Sequence, residues 1–241
     1  IFAPLGYGAE VMQVKIVNKG KDARKISVTP AIPLYGRSAD NLRDHRHVTS
    51  LLHRIKTSEN GVICKPVLSF DERGHQKNNM IYYVAGSTEN GENPVSFFPT
   101  VASFIGESGT FLAPEALAKN QKGCGAGKEF AGEEALGAMT FAEIMLAPGQ
   151  AQEYIVVSGM TESEEEITRT AEAFHTKEQA DAAFIKAKEY WNGLVNISFE
   201  TGNPKEDSYL KWICFQPILR RIYGCSFLPY HDYGRGGRGW R

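Results

Sequence analysis

The stretch at 151–174, AQEYIVVSGMTESEEEITRTAEAF, changes its period midway, and that change decides the architecture. Its first part, AQEYIVVSG, is apolar and β-branched in the manner of a strand. From Thr161 onward the spacing is helical: TESE sets Thr161 three before Glu164, as a capping box does, and Ile167, Ala171 and Phe174 recur on one face. The chain is therefore read as strands before this point and helices after it.

Toward the N-terminus, strand signals repeat. EVMQVKIVN at 10–18 and RKISVTPAI at 24–32 alternate, with Pro33 ending the second, and the polar NKGKDA between them reads as a hairpin. Further strands are expected at 61–70, 80–86, 94–100, 138–146 and 151–159, with APGQ at 147–150 as a turn carrying Pro at its second position. Many strands, frequent turn signals and no long helix between them predict an antiparallel sandwich.

Toward the C-terminus, TKEQ repeats the capping device at Thr176 and Gln179, opening a helix whose inward stripe is expected at Phe184, Ala187, Trp191 and Leu194. NISFETG then reads as a short extended piece. NPKE is a helix start, with Asn203 as cap, Pro204 at the first helical position and Glu206 at the third. That helix is expected to turn Leu210, Ile213, Ile218 and Ile222 inward, with a kink at Pro217 and a stop near Gly224. The predicted order is a β-sandwich over 1–160, a helical linker over 161–196, and the first helix of a further domain over 197–241.

Bulk composition narrows the function. Lys and Arg number 27 against 28 Asp and Glu, so no global charge draws the chain to nucleic acid or to an anionic membrane. A hydrophobic content of 42% and a charged content of 23% are those of a folded chain. No stretch approaches the ~20 apolar residues of a membrane span. Cys64, Cys124, Cys214 and Cys225 lie far apart without a CxxC spacing, which reads as reduced thiols in a cytoplasmic setting. The absent initiator Met and the end at Trp240-Arg241 read as those of a piece of a longer chain.

Positive charge concentrates at one end, where residues 220–241 hold five arginines against Asp232 alone. The final HDYGRGGRGWR interleaves arginine forks, which bind phosphate or carboxylate at two points, with glycines that let backbone approach a ligand. Trp240, Tyr230 and Tyr233 add flat faces for a sugar ring or a base. An RNA-binding segment uses the same groups but usually repeats. Spacing alone leaves a glycine loop, an anion or sugar site and a nucleic-acid segment open.

Other suggestive residues read as structural. His45, His47 and His53 fit no usual zinc spacing. Glu164, Glu165 and Glu166 suit a helix N-terminus. His231 and Asp232, being adjacent, seldom meet as an acid-base pair. The sequon at Asn196 is irrelevant in a cytoplasmic protein.

The segment 208–241, SYLKWICFQPILRRIYGCSFLPYHDYGRGGRGWR, resembles the entry to the catalytic domain of the glycoside phosphorylases of glycoside hydrolase family 94, which include the cellobiose, cellodextrin and β-1,2-oligoglucan phosphorylases. DHRHVTSLLHRI at 44–55, SFIGESGTFLAPEAL at 103–117 and MLAPGQAQEYIVVSG at 145–159 are similar to parts of that family's N-terminal domain. The long Gly-Arg-Gly-Gly-Arg-Gly-Trp-Arg form looks closest to the β-1,2-oligoglucan branch.

The resemblance implies a galactose-mutarotase-like supersandwich, a helical linker and an (α/α)6 barrel cut after its first helix. It also implies phosphorolysis of β-glucosidic bonds with inversion, yielding α-glucose 1-phosphate. Phosphate then replaces the water and base of an inverting hydrolase, so one carboxylic acid suffices. Arg235 matches a phosphate-contacting position, Arg241 the arginine that grips the donor glucosyl unit, and Trp240 a wall of that subsite. Arg238 lies where this sequence is longer than the cellobiose-type pattern, and a substrate contact or a solvated arginine are both open for it.

The general acid of the family lies downstream of these residues, so no catalytic residue is assigned here. Inorganic phosphate is expected as co-substrate with no other cofactor and no metal. The expected partners are a β-linked gluco-oligosaccharide and a second copy in a homodimer, without nucleic acid or membrane. Two alternatives are a non-catalytic carbohydrate-binding sandwich and the similar domain of a cyclic β-1,2-glucan synthase.

Overall fold

A computed structural model of the protein describes residues 1–35, 50–71 and 74–222. Its elements run, in order, β1 (Ala9–Val17), β2 (Arg24–Ile26), β3 (Ala31–Leu34), β4 (His53–Thr57), β5 (Gly61–Pro66), β6 (Leu68–Asp71), β7 (Gly74–Lys77), β8 (Ile81–Thr88) and β9 (Ser96–Thr100). Two short helices follow, α1 (Val101–Ile105) and α2 (Glu115–Ala118), then β10 (Glu129–Ala131), β11 (Ala135–Thr140), β12 (Ile144–Leu146) and β13 (Ala151–Thr161). The chain ends in helices α3 (Glu164–Ala173), α4 (Lys177–Leu194) and α5 (Pro204–Ile222). The chain forms two compact units, Ile1–Phe184 and Ile185–Arg241.

In the first unit, one antiparallel sheet has the strand order β1-β13-β8-β5-β4-β10 and a smaller one the order β3-β11-β9. Successive side chains point to opposite faces of a strand, so each face of the large sheet needs its own cover. One face brings Ile55, Val62, Cys64, Val84, Tyr154 and Val156 against Leu34, Phe97, Ala135, Met139 and Phe141. The opposite face carries Val11, Ile63, Ile81, Tyr83, Ile155 and Val157 beneath Ile167, Phe174 and Ala180. The unit therefore has three layers, and β13 is covered on both sides. That is why Tyr154, Ile155, Val156 and Val157 form an uninterrupted apolar run, each at most 2% exposed.

The two sheets approach closely where β11 crosses β8. A Cβ at Gly137 would lie 2.4 Å from Cγ2 of Val84, so only glycine fits there. The helical layer is fastened by apolar and polar contacts. Phe174 meets the ring of Tyr7 edge-on at 4.9 Å, and the Arg169 guanidinium lies 5.0 Å from the centre of the same ring. Ser87 Oγ donates to the carbonyl of His175 at 2.6 Å, and Lys177 bridges Glu153 and Asp181 at 3.0 and 2.8 Å.

The strands expected at 10–18, 61–70, 80–86, 94–100, 138–146 and 151–159 all contain observed strands, and the APGQ turn closes by Gln150 N–H to the Ala147 carbonyl, with Gly149 at φ 79°. The hairpin over NKGKDA does not form. Strand β1 pairs along nine positions with β13, while β2 pairs with β12, so the loop joins two sheets. Alternation marks a strand but carries no address for its partner. Pro33 lies inside β3 and pairs with Leu136, which is tolerated because β3 is an edge strand and needs no donor there.

The capping at Thr161 also differs. Thr161 is still in β13, paired with Ile81, and the helix begins after Ser163. Its hydroxyl donates to Glu166 Oε2 at 2.6 Å and accepts from the Ser163 N–H at 3.2 Å. The second box forms as read: the Thr176 N–H donates to Gln179 Oε1 at 2.9 Å and the Gln179 N–H to Thr176 Oγ1 at 3.3 Å. In α4 the buried positions are Ala180 and Ala187, whereas Phe184 is 44% exposed and Leu194 is also exposed.

In the second unit, Trp191 packs edge-on against Phe215 at 5.4 Å, and Trp212 stacks on Phe215 at 6.0 Å. The stretch 196–202 forms no strand. Asn203 caps α5 through Oδ1, which accepts from the Lys205 N–H at 3.1 Å, and through Nδ2, which donates to Glu206 at 3.0 Å. Pro217 lies inside the helix. Leu210 and Ile218 are half-buried and Ile213 is exposed, because helical spacing defines a stripe without supplying an element to cover it.

Candidate functional site

Arg235, Arg238, Trp240 and Arg241, with His231, Asp232 and Gly224, lie outside the described residues. His45, His47 and Cys225 do as well. What the described chain offers is a hollowed surface on the helical side of the large sheet, and it arises from simple alternation along β4. His53, Ile55 and Thr57 point inward, which turns Arg54 and Lys56 outward.

Register then assembles the neighbours. Arg54 stands opposite Lys65, Lys56 opposite both Ile63 and Glu129, and Ala131 opposite Arg54. These residues therefore share one face. Glu164, the first residue of α3, reaches back over the sheet to accept from Lys65, with Lys56 Nζ 3.9 Å from its other oxygen. The Lys65 hydrogen bond in particular holds the Glu164 carboxyl below the usual carboxylate range. Arg54, Lys56, Lys65, Glu129, Phe130 and Glu164 line the hollow at this end of the sheet.

A second hollow adjoins it and shares Lys56, Ile63 and Glu164. Its rim is the β4–β5 turn, tied by Ser58 N–H to the Gly61 carbonyl at 2.8 Å and by Ser58 Oγ to Asn60 Oδ1 at 3.0 Å. Asn93, Glu172, His175 and Gln179 also line it. His175 is set by Gly91, whose φ of 83° leaves room for the imidazole edge 2.9 Å from where a Cβ would sit.

Elsewhere the described residues contain no group of three or more His, Cys, Asp or Glu placed to hold a metal ion. His53 is buried, with Nδ1 3.2 Å from the Glu133 carbonyl. Burial lowers its pKa, so the ring is neutral near pH 7 and Nδ1–H is the donor. Cys64 is pushed up to about 12 by burial, which removes it as a nucleophile. Cys64, Cys124 and Cys214 are all free thiols. No helix among the described residues is long and apolar enough to cross a membrane.

The segment 103–117 is tied together by its own hydrogen bonds. Thr100 and Ser103 cap α1 reciprocally, Thr110 and Ala113 exchange backbone hydrogen bonds, and the Ser108 N–H donates to Glu115 at 3.0 Å. Leu112 at its tip is 99% exposed. The sequence reading missed both short helices, β4 and β10, and with them the hollows. The alternation HRIKT and the pair Thr100 and Ser103 were the available signals, but pairing partners and layer order were not visible in them.

Two antiparallel sheets packed face to face under a helical outer layer define a β-supersandwich. The chain belongs to glycosyl hydrolase family 94: the model of that family's supersandwich domain matches residues 1–177. No curated protein matches the chain.

Proposed function

We propose that the protein is an inverting glycoside phosphorylase of family 94, cleaving β-glucosidic bonds of oligoglucans with inorganic phosphate to give α-glucose 1-phosphate. The observation that carries this reading is the family match over residues 1–177, with the Gly-Arg-Gly tail as its chemical complement. Residues 1–160 are the supersandwich, 161–196 the linker, and 197–241 the opening of an (α/α)6 catalytic domain.

In this mechanism the nucleophile is a dianion that must sit beside a positively charged transition state. Fixed guanidinium groups serve that need without themselves exchanging protons. Arg235 holds the phosphate, Arg241 grips the donor glucosyl unit and Trp240 lines its subsite, while Arg238 is either a further substrate contact or a solvated arginine. The general acid is assigned to none of the 241 residues, so this polypeptide alone is expected to release no sugar phosphate. The setting is cytoplasmic and the assembly a homodimer, with phosphate as co-substrate and no other cofactor.

The test is to incubate the full-length protein with a panel of β-linked gluco-oligosaccharides and phosphate, following products by ³¹P and ¹H NMR. The expected result is phosphate-dependent appearance of the α-anomer, and a loss of about a hundredfold or more in kcat/KM for Arg235→Ala. Phosphate-independent hydrolysis, or a β-configured sugar phosphate, would overturn the proposal.

A further inference from the structure

The hollow between the β4–β5 turn, Asn93 and the α3–α4 corner has no part in the site proposed above. Among the described residues, the side chains of Glu59, Asn93, Glu172 and His175 make no hydrogen bond or ion pair with the rest of the chain, yet all four line this one concavity. Ile63 and Ile167, both buried, lie among them and supply an apolar patch. Carboxylates and a primary amide around such a patch match a pyranose, whose hydroxyl edge takes hydrogen bonds while its C–H face rests on apolar carbon.

Charge narrows the ligand. Glu164 is paired with Lys65 and Lys56, whereas Glu59 and Glu172 have no ion-pair partner among the described residues, so this hollow carries net negative charge and disfavours phosphate. The walls are already ordered, by the Ser58–Gly61 turn, by the packing of His175 on Gly91 and by the Thr176–Gln179 box. Little freedom is lost when a ligand enters.

We propose that this trough is a non-catalytic binding site for neutral gluco-oligosaccharides, holding the polymer on the supersandwich away from the arginine-rich tail. The choice of glucan rests on the function proposed above, whereas the polyol chemistry rests on the hollow itself.

The experiment is an NMR titration of the protein with β-linked gluco-oligosaccharides, reading the imidazole C–H signals of His175. Saturable shifts with a Kd on the order of millimolar are expected, weakened about fivefold or more by Glu172→Ala and by Asn93→Ala. Both are exposed side chains, and circular dichroism checks that the variants fold. Inorganic phosphate at the same concentration is expected to leave the signals in place. Absence of any shift at oligosaccharide concentrations on the order of 10 mM, unchanged affinity in both variants, or an equal response to phosphate would overturn the proposal. Phosphorolysis by the full-length protein is scored separately, so failure of the trough and failure of the enzyme reading give different results.

Discussion

Replacing Tyr154 by Phe is expected to stabilise the protein. Tyr154 is 1% exposed in the middle of β13, where its ring packs on Phe141 at 4.8 Å with the planes tilted by 44°. Its hydroxyl is buried and has no hydrogen-bond partner among the described residues. A buried hydroxyl left unpaired costs about 1–3 kcal/mol, as judged from mutational data, because it has exchanged water for nothing. Phe keeps the ring, its contact with Phe141 and nearly all of the apolar area, so the gain is that desolvation cost less a small loss of volume.

A net gain of about 1–2 kcal/mol is expected, corresponding to roughly 2–4 °C in Tm per kcal/mol for a domain of this size. Urea unfolding of the two proteins measures it: the midpoint should rise while the m-value stays constant. Tyr154→Ala serves as the opposite control, losing about 3–5 kcal/mol through the cavity it leaves. An unchanged or lowered midpoint for Tyr154→Phe would refute the reasoning, because it would mean that the hydroxyl is satisfied.

Three further outcomes follow from the packing and the titration. Gly137→Ala should cost about 1–3 kcal/mol in urea unfolding, since the new Cβ meets the Val84 side chain at 2.4 Å between two packed sheets, each strand held in its own ladder. Phe174→Ala should lower stability by about 3–5 kcal/mol and expose the outer face of the large sheet, read as a gain in binding of an apolar dye. For His53, whose folded pKa lies below the ordinary 6.5, the unfolded state binds the proton first as pH falls. Its contribution is therefore complete above pH 6.5 and is lost below it, at no more than about 1.4 kcal/mol per pH unit, down to the lowered folded pKa. His53→Gln should flatten stability measured between those limits.

Much of the first unit was legible along the chain, and particular residues show why. Thr176 and Gln179, or Asn203, Pro204 and Glu206, act within one helical turn, so their spacing carries their meaning. The Thr161 box failed because the same residue was claimed by a ladder partner, Ile81, far away in the chain. The NKGKDA hairpin failed for the same reason, since Ala9–Val17 finds its partner in Ala151–Thr161. The hollow around His175 joins residues from three separate segments, 56–63, Asn93 and 164–179, and none of these segments carries a local mark of the others.

The linear order of residues by itself determined the strand-to-helix order, the caps at Thr176 and Asn203, and the turn at Pro148–Gly149. Each of these depends on groups a few bonds or one helical turn apart. Only the tertiary structure decided that β13 lies between two cores, that α3 closes the outer face, and that Glu59, Asn93, Glu172 and His175 share one concavity. Burial and register arise from contacts between distant segments, and those are fixed when the layers pack.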